Sequence, residues 1–246
     1  MRSVLAVILT LWALPSFAVE CREAEYDGAG YTVCEVDATE DLRLFLSGSE
    51  GDVLGTFGAI DKVLNVDDQR LVFATNAGMY HEDRSPVGLY REDGEETQGV
   101  IASAGPGNFG MLPNGVFCIG EDRVAVVETG RFQSLDAAEC PSATQSGPML
   151  VIDGELHPRF LPDSTSRYIR NGVGVSEDGT TAWFVMSDVP VTFHEFGSVF
   201  RDDLKVPQAL YFDGNISRLY APDIGRNDLG LRMGPIVGVV APMAEG

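Results

Sequence analysis

Short apolar runs with period-two alternation recur along this chain and end at turn signals, and this pattern restricts it to a sheet-rich architecture. The runs are "YTVCEVD" (31–37), "LRLFLS" (42–47), "RLVFATN" (70–76), "GVFCIG" with "RVAVVET" (115–129), "PMLVI" (148–152), "GVGVSEDGTTAWFVMSD" (172–188) and "QALYFD" (208–213). Links such as "CIGEDRVAV" and "GVSEDGTTAW" are short and charged, which predicts antiparallel hairpins. Helical spacing is rarer. Phe193, Phe196, Phe200 and Leu204 predict a helix over 192–204, and Leu54, Phe57, Ile60 and Leu64 predict another within 52–65. The expected class is therefore α+β: a single sheet-rich domain with mixed or antiparallel strands and a few helices.

The first residues, "MRSVLAVILTLWALPSFA", read as a secretory signal peptide cut after Ala18, leaving one domain over 19–246. The apolar part is too short for a permanent anchor, and no other stretch is suited to spanning a bilayer, so the expected location is periplasmic or secreted. Four cysteines, Cys21, Cys34, Cys118 and Cys140, follow the cut. In an exported chain an even count suggests two disulfides, and proximity favours Cys21–Cys34 with Cys118–Cys140 among the three possible connectivities. A cysteine zinc site is the rival, though the spacing contains no Cys-x-x-Cys. A net charge of −20, with 17 Lys and Arg against 37 Asp and Glu, argues against nucleic acid or anionic membrane as partners.

Five Asp-Gly pairs begin at Asp27, Asp93, Asp153, Asp178 and Asp213. Such a pair is ordinarily a tight turn, because both residues tolerate positive φ. Asp213 differs in context: it ends an apolar strand and precedes Gly214, Asn215, Ile216 and Ser217, so a carboxylate, an amide and a hydroxyl share one loop. A turn and a site are both open readings. "RLVFATNAGMYHEDRSPVGLY" (70–90) repeats the design, with Asn76 as a cap or a substrate contact and Gly78 as a place for close backbone approach. "SRYIRNGVGV" (166–175) offers Arg167 and Arg170 as an oxyanion clamp or as ion-pair partners. Ser146, before a strand, reads as a loop donor, since no triad signature accompanies it. Thr192 and Glu195 form a capping box, which gives Glu195 a structural role. "GPGNFG" (105–110) fails as a nucleotide loop because Pro106 removes a donor and no helix follows. With three histidines and no nucleophile elbow, carboxylate chemistry is the natural enzymatic class.

Taken in order, "TNAGMY", "QSGPMLVIDG", "SRYIRNGVGVSEDG" and "ALYFDGNIS" resemble the phosphodiester glycosidase family over about residues 40–240, most closely its exported bacterial branch linked to exopolysaccharide production. The resemblance implies cleavage between a sugar's anomeric carbon and a phosphodiester oxygen, on a carbohydrate or sugar-phosphate substrate. It implies that Asn76 and Gly78 line the pocket, Ser146 and Gly147 form a second wall, Arg170 meets the phosphate, and Asp213 faces the sugar beside Gly214 and Ser217. Asp188 falls near another acidic position of the family, and His81 with Glu82 follows the Asn76 turn. The family's "DGGGS"-like loop reads "DGNIS" here. No cofactor is implied with certainty; Asp188 and Asp213 together suggest a calcium or magnesium ion, without any calcium-loop spacing. The alternative is a glycan-binding module that uses the same pocket without turnover.

Overall fold

The computed structural model describes residues 19–243, and the expected signal peptide lies outside them. In chain order the strands are β1 (Val19–Tyr26), β2 (Ala29–Asp37), β3 (Asp41–Phe45), β4 (Gln69–Asn76), β5 (Tyr90–Glu92), β6 (Glu95–Gln98), β7 (Gly115–Ile119), β8 (Val124–Glu128), β9 (Ser142–Ser146), β10 (Met149–Ile152), β11 (Glu155–Leu156), β12 (Asn171–Val175), β13 (Thr181–Ser187), β14 (Gln208–Asp213), β15 (Leu219–Ala221), β16 (Arg226–Asn227) and β17 (Ile236–Pro242). Three short helices are α1 (Phe57–Leu64), α2 (Thr129–Phe132) and α3 (Phe193–Ser198).

The strands form three sheets, ordered β1-β2-β13-β12-β14-β10-β11, β16-β15-β4-β17-β3 and β6-β5-β9-β7-β8. Every ladder among them is antiparallel, so the mixed pairing allowed by the sequence does not occur. The period-two pattern has a direct structural counterpart. On β2, Cys34 and Val36 face the shared core while Tyr31 and Val33 face outward, and on β14 Leu210 and Phe212 face inward while Ala209 and Tyr211 do not. All three sheets meet in one core, where Phe73 of β4, Phe117 of β7, Phe184 of β13 and Phe212 of β14 pack in tilted and edge-to-face pairs at centroid distances of 5.0 to 6.2 Å. Outer faces are covered separately: α3 packs on the first sheet, α1 on the second and α2 on the third.

Local chemistry sets the helix ends. Thr192 accepts from Glu195 N while Glu195 reaches back to Thr192 N, giving the expected capping box. The earlier helix starts at Phe57, later than its apolar spacing suggests, because Gly55 takes φ 66° and Thr56 is an extended N-cap. Cys21 pairs with Cys34 on the directly opposed positions of β1 and β2, and Cys118 pairs with Cys140, as proximity suggested.

Two features of the first sheet place the site. The register between β12 and β14 shifts between Asn171 and Gly172, which pair with Asp213 and Tyr211, leaving Phe212 as an extra residue. Beyond Asp213 the chain also makes no return along its own sheet: it crosses to β15, which pairs with β4 in the second sheet.

Candidate functional site

Asp213 stands where β14 ends and the chain crosses between sheets. Its backbone N donates to Asn171 Oδ1 (2.9 Å), and its own Oδ1 accepts from Gly214 N (2.6 Å) and Asn215 N (3.0 Å). Gly214 fits because a Cβ there would run into the Tyr211 hydroxyl. The carboxyl is largely buried, and that burial holds its pKa above the usual Asp range, partly offset by the amides of Asn215, Gly214 and Ile216.

The carboxyl opens on a cleft of about 640 Å³. One wall is the loop leaving β4, with Tyr80, His81, Glu82 and Arg84; a second is the Pro106–Phe109 segment; a third comprises Ser166 and Tyr168, with Tyr211 beside the loop 213–216. Tyr80 is pushed up to about 12, by burial first and by the charge of Asp213 second.

Of the residues singled out from sequence, Asp213 and Gly214 with Asn215 and Ile216 of their loop, and His81 with Glu82, line this cleft. The others sit behind it or away from it. Asn76 is fully buried, and its amide is paired reciprocally with that of Asn171, which in turn holds Asp213 N. Gly78 has φ 151°, and a Cβ there would lie 3.1 Å from Thr144 Oγ1, so the glycine permits close approach to β9. Ser146 donates to Phe212 O (2.9 Å), tying β9 to β14 one residue before Asp213. Gly147 packs against Asn114, whose Cβ would be 2.6 Å from an added Cβ. Ser217 closes the loop by donating to Ile169 O (3.1 Å) and Asp213 O (3.3 Å).

Arg170 lies under the third wall at 1% exposure. Its guanidinium is 3.7 Å from the Phe193 ring centroid and donates to Val191 O (2.9 Å) and Ser166 O (3.1 Å), and Nη1 has no partner among the described residues. Arg167, by contrast, is an ion-pair partner of Glu195, at 2.6 Å. Asp188 lies outside the cleft, accepting from Arg226 (2.8 Å) and Thr32 (3.1 Å). Among the described residues no three His, Cys, Asp or Glu side chains come together, and Asp188 is not on the cleft that Asp213 lines.

Sequence reasoning missed Asn171, Tyr80, Arg84 and Tyr168. Asn171 carries no signal of its own, since its partners come from β4 and β14, distant in sequence. Arg84 stands in a polar loop whose conformation only the fold reveals.

Comparison with known proteins places the chain in a family and matches its fold. The chain is 35% identical over 217 residues to an uncharacterized protein, YigE, of Escherichia coli strain K12, covering 87% of this chain and 84% of that one. Its fold matches the catalytic domain of zebrafish N-acetylglucosamine-1-phosphodiester α-N-acetylglucosaminidase, a structure auto-inhibited by its pro-peptide, with TM-score 0.62 at 13% identity over 91% of this chain and 84% of that one. It also matches a hypothetical protein from Synechocystis, with TM-score 0.57 at 13% identity over 90% of this chain and 61% of that one. The phosphodiester glycosidase profile matches residues 69–230, which hold the crossing from β14 to β15 and the loop leaving β4. With more than half its length so matched, the chain belongs to the phosphodiester glycosidase family.

Proposed function

We propose that this protein is an exported hydrolase that cleaves the glycosidic bond of a sugar-1-phosphodiester. The observation that carries the reading is Asp213: a carboxyl held by backbone amides, facing a cleft, with its pKa raised by burial. Asp213 acts as base toward water or as nucleophile toward the anomeric carbon. The bond from that carbon to the phosphate oxygen breaks, and its electron pair leaves with the phosphate. Free sugar and a phosphomonoester are the products. A phosphate is a good leaving group, so the site has less need of a general acid than ordinary glycoside hydrolysis. Asn76, Asn171, Ser146 and Ser217 keep the Asp213 loop in place, and Arg170, beneath Ser166 and Tyr168, stiffens the adjoining wall.

The disulfides and the signal-like first eighteen residues support a periplasmic or secreted site of action, and the resemblance of the motifs to an exported bacterial branch suggests a role in glycan or exopolysaccharide metabolism. No described helix is long and apolar enough to cross a membrane. The test is release of free sugar from an N-acetylglucosamine-1-phosphodiester by the purified protein beside Asp213→Asn. Turnover abolished in a folded variant supports the reading, and full activity in it rejects the assignment. A second reading, a glycan-binding module, draws on the way Asp213 Oδ1 is engaged by its own loop, as in a structural turn. Sugar-phosphate binding with no turnover across a panel of sugars would favour it.

A further inference from the structure

The loop leaving β4 gives the cleft a second chemical character, opposite in sign to Asp213. Arg84 is the one Arg or Lys side chain on the described cleft wall, in a chain where acidic residues outnumber basic ones 37 to 17. It is flanked by Glu82 and Asp83 yet makes no ion pair with either. The sole protein hydrogen bond of its side chain among the described residues runs from Nη1 to the backbone carbonyl of Glu82 (2.7 Å), which leaves Nε and Nη2 free to donate.

The backbone presents this side chain at a cost. Arg84 has φ 76°, a left-handed conformation that favours Gly, Asn or Asp. Four of the other five non-glycine residues in that region are aspartates. The loop enforces the conformation: Tyr80 bridges Pro86, His81 N donates to Ser85 O (2.9 Å), Arg84 N donates to His81 O (2.9 Å), and Asp83 Oδ1 accepts from Ser85 N (2.9 Å) and Oγ (2.6 Å). Strain over-determined in this way is characteristic of functional positions.

Tyr80 supplies a second donor. Its ring lies 5.5 Å from the Arg84 guanidinium and packs on Gly234, where any Cβ would fall 2.6 Å from the Tyr80 side chain. Its hydroxyl is enclosed and has no partner among the described residues, so it is a donor lacking an acceptor. Burial and the nearby Asp213 keep it protonated at neutral pH.

We infer that Arg84 and Tyr80 form an anion subsite that receives the phosphate of a sugar phosphate, on the cleft wall made by the loop leaving β4. The inference rests on the proposed hydrolase reading for its substrate class. A guanidinium with free donors and a lone hydroxyl donor match a tetrahedral oxyanion, and a local cation is needed to draw any anion to so acidic a protein.

The experiment is calorimetric titration of the purified protein with inorganic phosphate and with N-acetylglucosamine-1-phosphate, together with thermal melts, for wild type, Arg84→Gly and Tyr80→Phe. Arg84→Gly is expected to weaken binding of both phosphates about tenfold or more, with Tm unchanged or raised, because glycine accepts φ 76° without strain. Tyr80→Phe should weaken binding about fivefold. Equal phosphate affinity in wild type and Arg84→Gly, or no phosphate binding by wild type, overturns the subsite. The two readings fail separately. Phosphate binding that depends on Arg84 in a protein without turnover keeps the subsite and removes the hydrolase. Turnover of a sugar-1-phosphodiester at the wild-type rate by Arg84→Gly does the reverse.

Discussion

Asp153 and Asp213 are each followed by glycine at the end of a strand, and the two pairs have little else in common. Asp153 and Gly154 take φ 49° and 83°, the geometry of a tight hairpin, and the chain returns at once from β10 to β11. The Asp153 carboxylate is exposed and binds Arg131 (2.8 Å) and Gln208 (2.6 Å), which lower its pKa, Arg131 most. Asp27-Gly28 and Asp93-Gly94 repeat the same positive-φ turn. Asp213-Gly214 lacks positive φ, its carboxyl is largely buried, and its pKa moves the other way. The difference arises beyond the glycine: a strand that returns to its own sheet needs a turn, whereas a strand whose chain crosses to a second sheet leaves its last carboxyl at the seam. The dipeptide does not decide between structure and chemistry, and the destination of the chain does.

The largest contrast is expected in turnover. Asp213→Asn should lower sugar release by about 10²–10⁴-fold with the fold intact, while Asp153→Asn leaves the rate unchanged, as a parallel assay of both variants would show. Equal effects would erase the distinction. Next comes the support beneath Asp213. Asn171→Ala removes the acceptor for Asp213 N and strands the buried Asn76 amide, so it should cost about 2–3 kcal/mol in urea unfolding and reduce activity as well.

Glycine substitutions sharpen the comparison further. Gly214→Ala drives a methyl into the Tyr211 hydroxyl and should cost about 1–3 kcal/mol along with activity. A Cβ at Gly154 meets nothing within 4 Å, so Gly154→Ala should cost only the backbone strain of positive φ, about 1 kcal/mol, with turnover untouched.

The smallest effect is in pH dependence. Asp213 has a folded pKa above its unfolded value, so its contribution is fully present below the unfolded pKa and is lost as pH rises through the folded one. Asp213→Asn should therefore melt above wild type at neutral pH, and the gap should close below about pH 3.9, the ordinary Asp value. Asp153 has a depressed pKa, so its contribution is present at neutral pH and lost on acidification, and Asp153→Asn should melt slightly lower at pH 7. Melts of the two variants shifting in the same direction at pH 7 would contradict the opposite environments.

Much of the sheet framework is legible because its strands are short apolar runs that end at turn signals, as β2, β8 and β13 are, and because the capping box of α3 and the spacing of the cysteines are local signals. Where tertiary partners decide, the pattern is silent. β9, "SATQS", is polar at every position but Ala143 yet buried along its whole length. It reads as loop, but Thr144 donates to Ala77 O, Ser146 to Phe212 O, and the Gln145 amide serves Leu89 N, Ile101 N and Ile101 O. β17, between β4 and β3 in the second sheet, lacks the alternation that marks a half-exposed strand because both of its faces are buried. In the site, Asp213 was legible from its contrast with other Asp-Gly pairs. Its supports were not, since Asn171 and Asn76 matter through a pairing 95 residues apart.

The extra residue at Phe212 has a consequence for how this protein can change over evolutionary time. Strand faces alternate one residue at a time, so losing or gaining a single residue between Ala209 and Asp213 would exchange the two faces beyond the change. The carboxyl would then point at Phe117 and Phe184, where no polar group awaits it, and a phenylalanine would be pushed toward the cleft. Substitutions in this stretch can be graded and repaired one at a time, but a change in its length cannot. The exposed turn at Asp153 and Gly154 has no such constraint, because a residue added there lengthens a loop in solvent and leaves the acid in position.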